Sequence, residues 1–314
     1  MSQLLAPDRS PVRVLARGAS AYDSDKRVEV IRGDVTSASD VERAVKGCGV
    51  IYHLAGWVSR DPADAPKLRQ IHVEGTRLIL ESAKKFGVER VTIASSSGTI
   101  AVDRTGKIHA EESGFKDTET SRYAYYVTKI AEEKLALEFY ASTKLPIVVA
   151  NPSLLLGPGD DRGSSTGDIA DFLEGQVLSF PTGGINFVDV RDAATGILAA
   201  MDRGRPGERY LLGGVNWSCS QFLKELAKLS GRTAPMMTSP TWLSLLMAPL
   251  LRKAMPWAGR KFTLDDATIE MSGLFWYCDS AKAQRELGFQ PRDPLETLRA
   301  TLDDIYTRRP ELKR

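Results

Sequence analysis

The sequence predicts an α/β protein in which a parallel sheet carries helices on its faces. Three observations predict it. Short β-rich runs alternate with helix-period segments through the first half of the chain. Most of those runs stop at Gly, Asp, Ser or Asn-Pro, residues that end strands and begin loops. The 314 residues, 42% hydrophobic and 26% charged, supply a core of ordinary globular composition.

The elements follow in order. Val12 to Ala16 and Val28 to Arg32 read as strands, the second ending at Gly33-Asp34. Ser39 to Lys46 reads as a helix with Val41, Ala44 and Val45 on one side. Val50 to Leu54 is a third strand, closed by Ala55-Gly56. Ile71 to Phe86 is helical, with Gly87 at its C-terminal end. Val91 to Ala94 runs into Ser95-Ser96-Ser97-Gly98, and Ile147 to Ala150 is stopped by Asn151-Pro152. Ligands of open α/β sheets bind beyond the carboxyl ends of the strands, which selects Arg17, Asp34, His53 to Gly56, Ser95 to Ser97 and Asn151 to Ser153.

From about Gly157 glycine, proline and polar residues dominate as far as Gly184. Strands at Ile185 to Val188 and Glu208 to Leu212 follow, with helices at Arg191 to Asp202, Ser218 to Leu229, Asp279 to Leu287 and Pro294 to Tyr306. The expected division is therefore residues 1–156 for the sheet domain and 157–314 for a smaller substrate-binding part, with segments returning to the sheet.

Composition excludes several classes. With 42 basic and 40 acidic residues the net charge is +2, and neither a nucleic acid nor an acidic membrane is implied. Cys48, Cys219 and Cys278 are scattered without metal-site or disulfide spacing, which fits a reducing cytoplasm. No metal is expected. No signal-peptide core occurs at the N-terminus, and no apolar run has membrane-spanning length. The nearest is Trp242 to Leu251, WLSLLMAPLL, which Pro249 interrupts; a buried or lid-forming helix is favoured there over a membrane-surface contact.

The stretch SRYAYYVTKIAEEK places Tyr125 one helical turn before Lys129. Residues four apart share a helix face, about 5–6 Å apart at Cβ. A tyrosine has a pKa of about 10, and a neighbouring cation favours its phenolate, so the pair could exchange a proton. An exposed i,i+4 pair on an ordinary helix has the same spacing. The surrounding motifs decide.

The order GDVTSASDVERAV, VIYHLAG, VERVTIASSSGT, YAYYVTK, NPSLLLGPGD and NFVDVRDAATGILAAM resembles the extended short-chain dehydrogenase/reductases, the NAD(P)-dependent epimerase/dehydratase superfamily. The resemblance covers nearly the whole chain. It is nearest to dihydroflavonol-reductase-like and hopanoid-associated sugar-epimerase-like members, through Asn186 to Asp192 and Gly207 to Tyr210. It implies a Rossmann-like doubly wound sheet and an NAD(P)-dependent oxidoreductase or epimerase/dehydratase. The substrate would be a small molecule with a secondary alcohol or ketone, such as a sugar derivative, sterol or flavonoid-like ring. A homodimer is a further implication.

By position the resemblance makes Tyr125 the acid/base, Lys129 the residue that lowers its pKa and bonds the nicotinamide ribose, and Ser96 the donor to the substrate oxygen, with Ser97 as its alternative. Asp34 and Val35 would contact adenine. His53 to Gly56 would pass beneath the adenosine, with Leu54, Ala55 and Gly56 as cofactor contacts and His53 a packing or hydrogen-bonding residue. Asn151, Pro152 and Ser153 would lie beside the nicotinamide. Arg17, ending the second strand of the implied fold, suits the 2′-phosphate of NADP better than the ribose of NAD, which stays possible. Asp189 is expected to cap a helix. Phe180, Asn186, Trp242, Met247 and Trp276 would line an apolar pocket or be core, with core favoured for most.

One expected part is not in the sequence. The family opens with a strand and a glycine-rich turn that hold the pyrophosphate, whereas Ser2 to Leu5 reads as the end of the following helix. A start codon placed too far downstream is the expected cause. The alternative is a catalytically silent nucleotide-binding or scaffold protein of the same fold.

Overall fold

A computed structural model describes residues 3–5, 11–258, 262 and 264–313. The chain forms two units: residues 1–95, 124–150 and 197–209 make the first, and 96–123, 151–196 and 210–314 the second.

In the first unit β1 (Val12–Ala16) and β2 (Val28–Arg32) pair in parallel, Val12 opposite Val28. β3 (Val50–His53), β4 (Arg90–Ala94) and β5 (Ile147–Pro152) form another parallel ladder, with Val50 opposite Arg90 and Val91 opposite Ile147. Every residue of β5 is buried, as a central parallel strand covered on both faces requires. The ladder is extended by Gly207 N–H to Ile147 O (2.7 Å) and Val149 N–H to Glu208 O (3.0 Å). Among the described residues no ladder joins β1 to β3. Leu15 of β1 and Ile51 of β3 nevertheless pack on one core of Val41, Ile79, Leu80, Ile93 and Ile147. The resemblance places its first strand between them, and the sheet is interrupted there.

The strands expected through residue 150 are present within two residues at each end. The first helix is Ala38–Val45, and Ser37 caps it by accepting from Asp40 N–H. The helix expected from Ile71 starts earlier, at Ala65–Arg69, with Pro66 in its first turn where no N–H is needed. It widens into a π turn at Gln70–Glu74 before Gly75–Lys85. Ser2 lies outside the described residues, and Gln3 to Leu5 form a turn rather than a helix end.

The second unit has its own sheet. Its strands are β6 (Leu154–Leu156), β7 (Gly184–Asp189), β9 (Val215–Ser218) and β10 (Phe275–Trp276), whereas β8 (Arg209–Leu212), which starts at the last residue of the first unit, follows β5 in the sheet order β3-β4-β5-β8. β7 is parallel to β6 and β10 and antiparallel to β9. Its start needs glycine: a Cβ on Gly183 would overlap the carbonyl oxygens of Leu274 and Ser272. Phe187 meets Trp217 and Phe222 edge to face at 5.2 and 5.5 Å, in a core completed by Leu226, Leu298 and Ile305. Asp189 accepts from Arg191 N–H at 2.9 Å, at the start of the helix Val190–Arg203, and from the Arg191 guanidinium at 2.7 and 2.8 Å. The expected cap is there, reinforced by Arg292 on Asp192 at 2.7 Å.

Two expectations need correction. The helix Thr241–Ala254 runs through Pro249 and buries only Ala248, so it is not a buried helix. Of the five pocket or core candidates, Phe180 and Asn186 are buried and Trp276 is half-buried, but Trp242 and Met247 are exposed. Apolar composition does not by itself assign a residue to the core. Among the described residues no helix is long and apolar enough to cross a membrane.

Candidate active site

Tyr125 and Lys129 sit one turn apart on the helix Ala124–Thr143. Lys129 is buried. Its Nζ donates to Ala94 O (3.0 Å), just where β4 ends, and pairs with Glu132 Oε2 at 2.7 Å. Glu132 is fully buried, and its other oxygen accepts from Thr76 Oγ1 at 3.0 Å. With its proton committed to Glu132, Thr76 accepts from His53 Nε2 at 2.7 Å. Burial pushes the Glu132 carboxyl up, opposed by Lys129 and Thr76. Burial and the Lys129 charge push His53 down to about 3, so it is neutral and carries its proton on Nε2. On the next position, Glu133 accepts a short bond from Ser95 Oγ and lies 3.8 Å from Arg209.

His72 ties the loop after β3 to the same helix. Trp57 N–H donates to His72 Nε2 (3.1 Å), which puts the imidazole proton on Nδ1, facing Thr128 Oγ1 at 2.9 Å. Thr128 in turn donates to the carbonyls of Ala124 and Tyr125 at 3.0 and 2.9 Å. The imidazole meets the Tyr125 ring edge to face, centroids 5.6 Å apart. Burial first, then Lys129, lowers His72 to about 3, so this link stays uncharged near neutral pH. Inside the loop, a Cβ on Gly56 would lie 3.6 Å from His72 Nε2 and 3.7 Å from Lys129 Nζ. Glycine keeps open the space beside the lysine that a side chain would fill.

The other expected residues fall into two groups. Arg17 and Asp34 approach to 3.9 Å, and Asp34 Oδ1 accepts from the N–H and hydroxyl of Thr36, both at 2.9 Å. Val35 lies against Gly75, Leu54 is exposed and Ala55 half-buried. In the second unit Ser96 Oγ accepts from Gly98 N–H at 3.3 Å, capping the turn Ser97–Thr99. The Ser96 carbonyl accepts from Asn151 Nδ2 at 3.1 Å. Pro152 is buried, and Ser153 N–H donates to Leu212 O at 3.2 Å.

The structure thus brings together Tyr125, Lys129 and Gly56, Arg17 with Asp34, and Ser96 with Asn151. The sequence reading missed Glu132, Thr76 and His72. Their signal was present in part: Glu132 follows Lys129 by three residues and so shares its face. A nicotinamide nucleotide fits these residues in one respect that the geometry tests, the cradle at Gly56 beside Lys129.

A buried helix lysine that meets the carboxyl end of β4, one turn after a tyrosine, lies where open α/β sheets bind their ligands. The chain belongs to the NAD dependent epimerase/dehydratase family of enzymes, whose model matches residues 1–213. It is 34% identical over 300 residues to a provisional dihydroflavonol 4-reductase from Synechocystis sp., covering 93% of this chain and 85% of that one. It is 33% identical over 272 residues to sterol demethylase protein B from Methylococcus capsulatus, covering 84% and 80%. The UDP-glucose 4-epimerase of Thermus thermophilus, solved in complex with NAD, shares the fold at a TM-score of 0.73 and 21% identity, covering 96% and 93%.

Proposed function

We propose that this protein oxidises a secondary alcohol, or reduces the corresponding ketone, on a ring-bearing small molecule. Sugar, sterol and flavonoid-like rings are the candidate class, in keeping with the names of its relatives. The carrying observation is Lys129: a buried ammonium anchored on Ala94 O, one turn from Tyr125 and beside Gly56. NAD(P) supplies the hydride chemistry when bound, with NADP favoured because Arg17 directly follows β1. Tyr125 takes the hydroxyl proton on its phenolate oxygen as the carbonyl forms, and returns it in the reverse direction. Lys129 holds the phenol toward ionisation and would hold the ribose; Ser96 donates to the substrate oxygen. Asp34, Val35 and Leu54 to Gly56 would line the adenosine side, and Asn151 to Ser153 the nicotinamide side.

Tyr125→Phe removes the proton-carrying oxygen and is expected to lower turnover by about 10²–10⁴-fold with NADPH affinity nearly unchanged. An active Tyr125→Phe variant refutes the assignment.

A further inference from the structure

The helix Thr241–Ala254 exposes an apolar face. Trp242 and Leu246 are each 67% exposed and Leu250 is 57% exposed, at positions i, i+4 and i+8. Lys253 is exposed on the same face, and Trp257, 91% exposed, follows just beyond the helix. The opposite side is engaged: Ala248 is buried, and Arg252 donates to Leu264 O and Asp266, each at 2.7 Å. Met236 and Met237, upstream, are also exposed. Acids are nearly as numerous as bases in the chain, 40 against 42, yet residues 233–264 contain none. The same span has Arg252, Lys253, Arg260 and Lys261.

We propose that this segment docks the protein on an anionic lipid surface, with Trp242, Leu246, Leu250 and Trp257 among the headgroups. Tryptophan favours that interface, where its ring is buried and its N–H stays wet. Basic residues beside an apolar helix face add attraction to anionic lipid. The helix lies on the membrane and does not span it, because 14 residues fall short of the roughly 20 a crossing needs. A second copy fits worse: it would set the exposed Lys253 of one chain against the same basic span of the other, in which Arg252 is already paired with Asp266. The proposal does not depend on the reading of Tyr125.

Cosedimentation of the full chain with phosphatidylcholine vesicles, with and without phosphatidylglycerol, tests it. Partitioning into the anionic vesicles is expected, with a blue shift of tryptophan emission and weakening by about tenfold at high salt. The double change Leu246→Glu with Leu250→Glu lies on exposed positions, so the far-ultraviolet circular dichroism is expected to persist while partitioning falls by about tenfold or more. Lys253→Glu is expected to weaken only the anionic preference. Absence of wild-type binding to the anionic vesicles overturns the proposal, as does equal binding by the double variant. A lipid-free dimer that the double variant dissolves assigns the face to a second copy and equally overturns it.

Discussion

Acid is expected to destabilise this protein well above the pH at which carboxylates protonate, because His53 and His72 are folded in as neutral groups. Each is lowered from an ordinary 6.5 to about 3, chiefly by burial and then by Lys129. A depressed pKa contributes stability that is complete above the unfolded value and is lost as pH falls toward the folded one. Here the unfolded chain gains protons from about pH 6.5 downward that the folded chain refuses until about pH 3. Between about pH 8 and pH 5 one such histidine loses 1.36 × log(1 + 10^1.5), or about 2 kcal/mol, and the pair about 4 kcal/mol. Urea midpoints across that range measure it. His53→Gln and His72→Asn are each expected to remove about half of the slope. Stability that is flat from about pH 8 to pH 5, or a slope that neither variant changes, refutes the reasoning.

Two further substitutions, and a third as a control, probe the packing around the site and the second sheet. Glu132→Ala leaves the Lys129 ammonium buried beside Ala94 O without its carboxylate and Thr76 without an acceptor, and is expected to cost about 3–5 kcal/mol in a denaturant titration. Gly183→Ala drives a methyl group into the carbonyls of Leu274 and Ser272 and is expected to cost at least about 1–3 kcal/mol, read as a fall in Tm, whereas Gly18→Ala, with open space around it, is expected to be near neutral.

The strands were legible because their apolar runs are short and end at residues that break a ladder; β5, Ile-Val-Val-Ala before Asn151-Pro152, is the clearest case. The Tyr125–Lys129 relation was legible because helical period alone puts the two on one face. Glu132 was not. A carboxylate after a lysine on a helix ordinarily reads as a solvated pair, and only the fold, by closing Thr76 and His53 over it, makes it a buried counter-ion. His72 was hidden for a related reason: its two partners, Trp57 N–H and Thr128, are 15 and 56 residues away in the chain. The Trp242 helix misled in the opposite direction. Its sequence is as apolar as a core helix, and nothing in composition tells an apolar face turned inward from one turned outward.

The break between β1 and β3 has a dynamic consequence. β1 is half-buried throughout and pairs with β2, whereas every residue of β5 is buried, so the β1–β2 ladder is the weaker piece of the first unit even though Leu15 and Ile51 share one core. Amide hydrogens of Val12–Ala16 are expected to exchange with solvent well before those of Ile147–Ala150. Arg17 and Asp34 sit at the ends of the weaker piece. Under the proposed reading, Arg17, which tells one nicotinamide nucleotide from the other, and Asp34, which faces adenine, therefore stand on the part of the fold that opens first, and nucleotide binding would slow exchange there most.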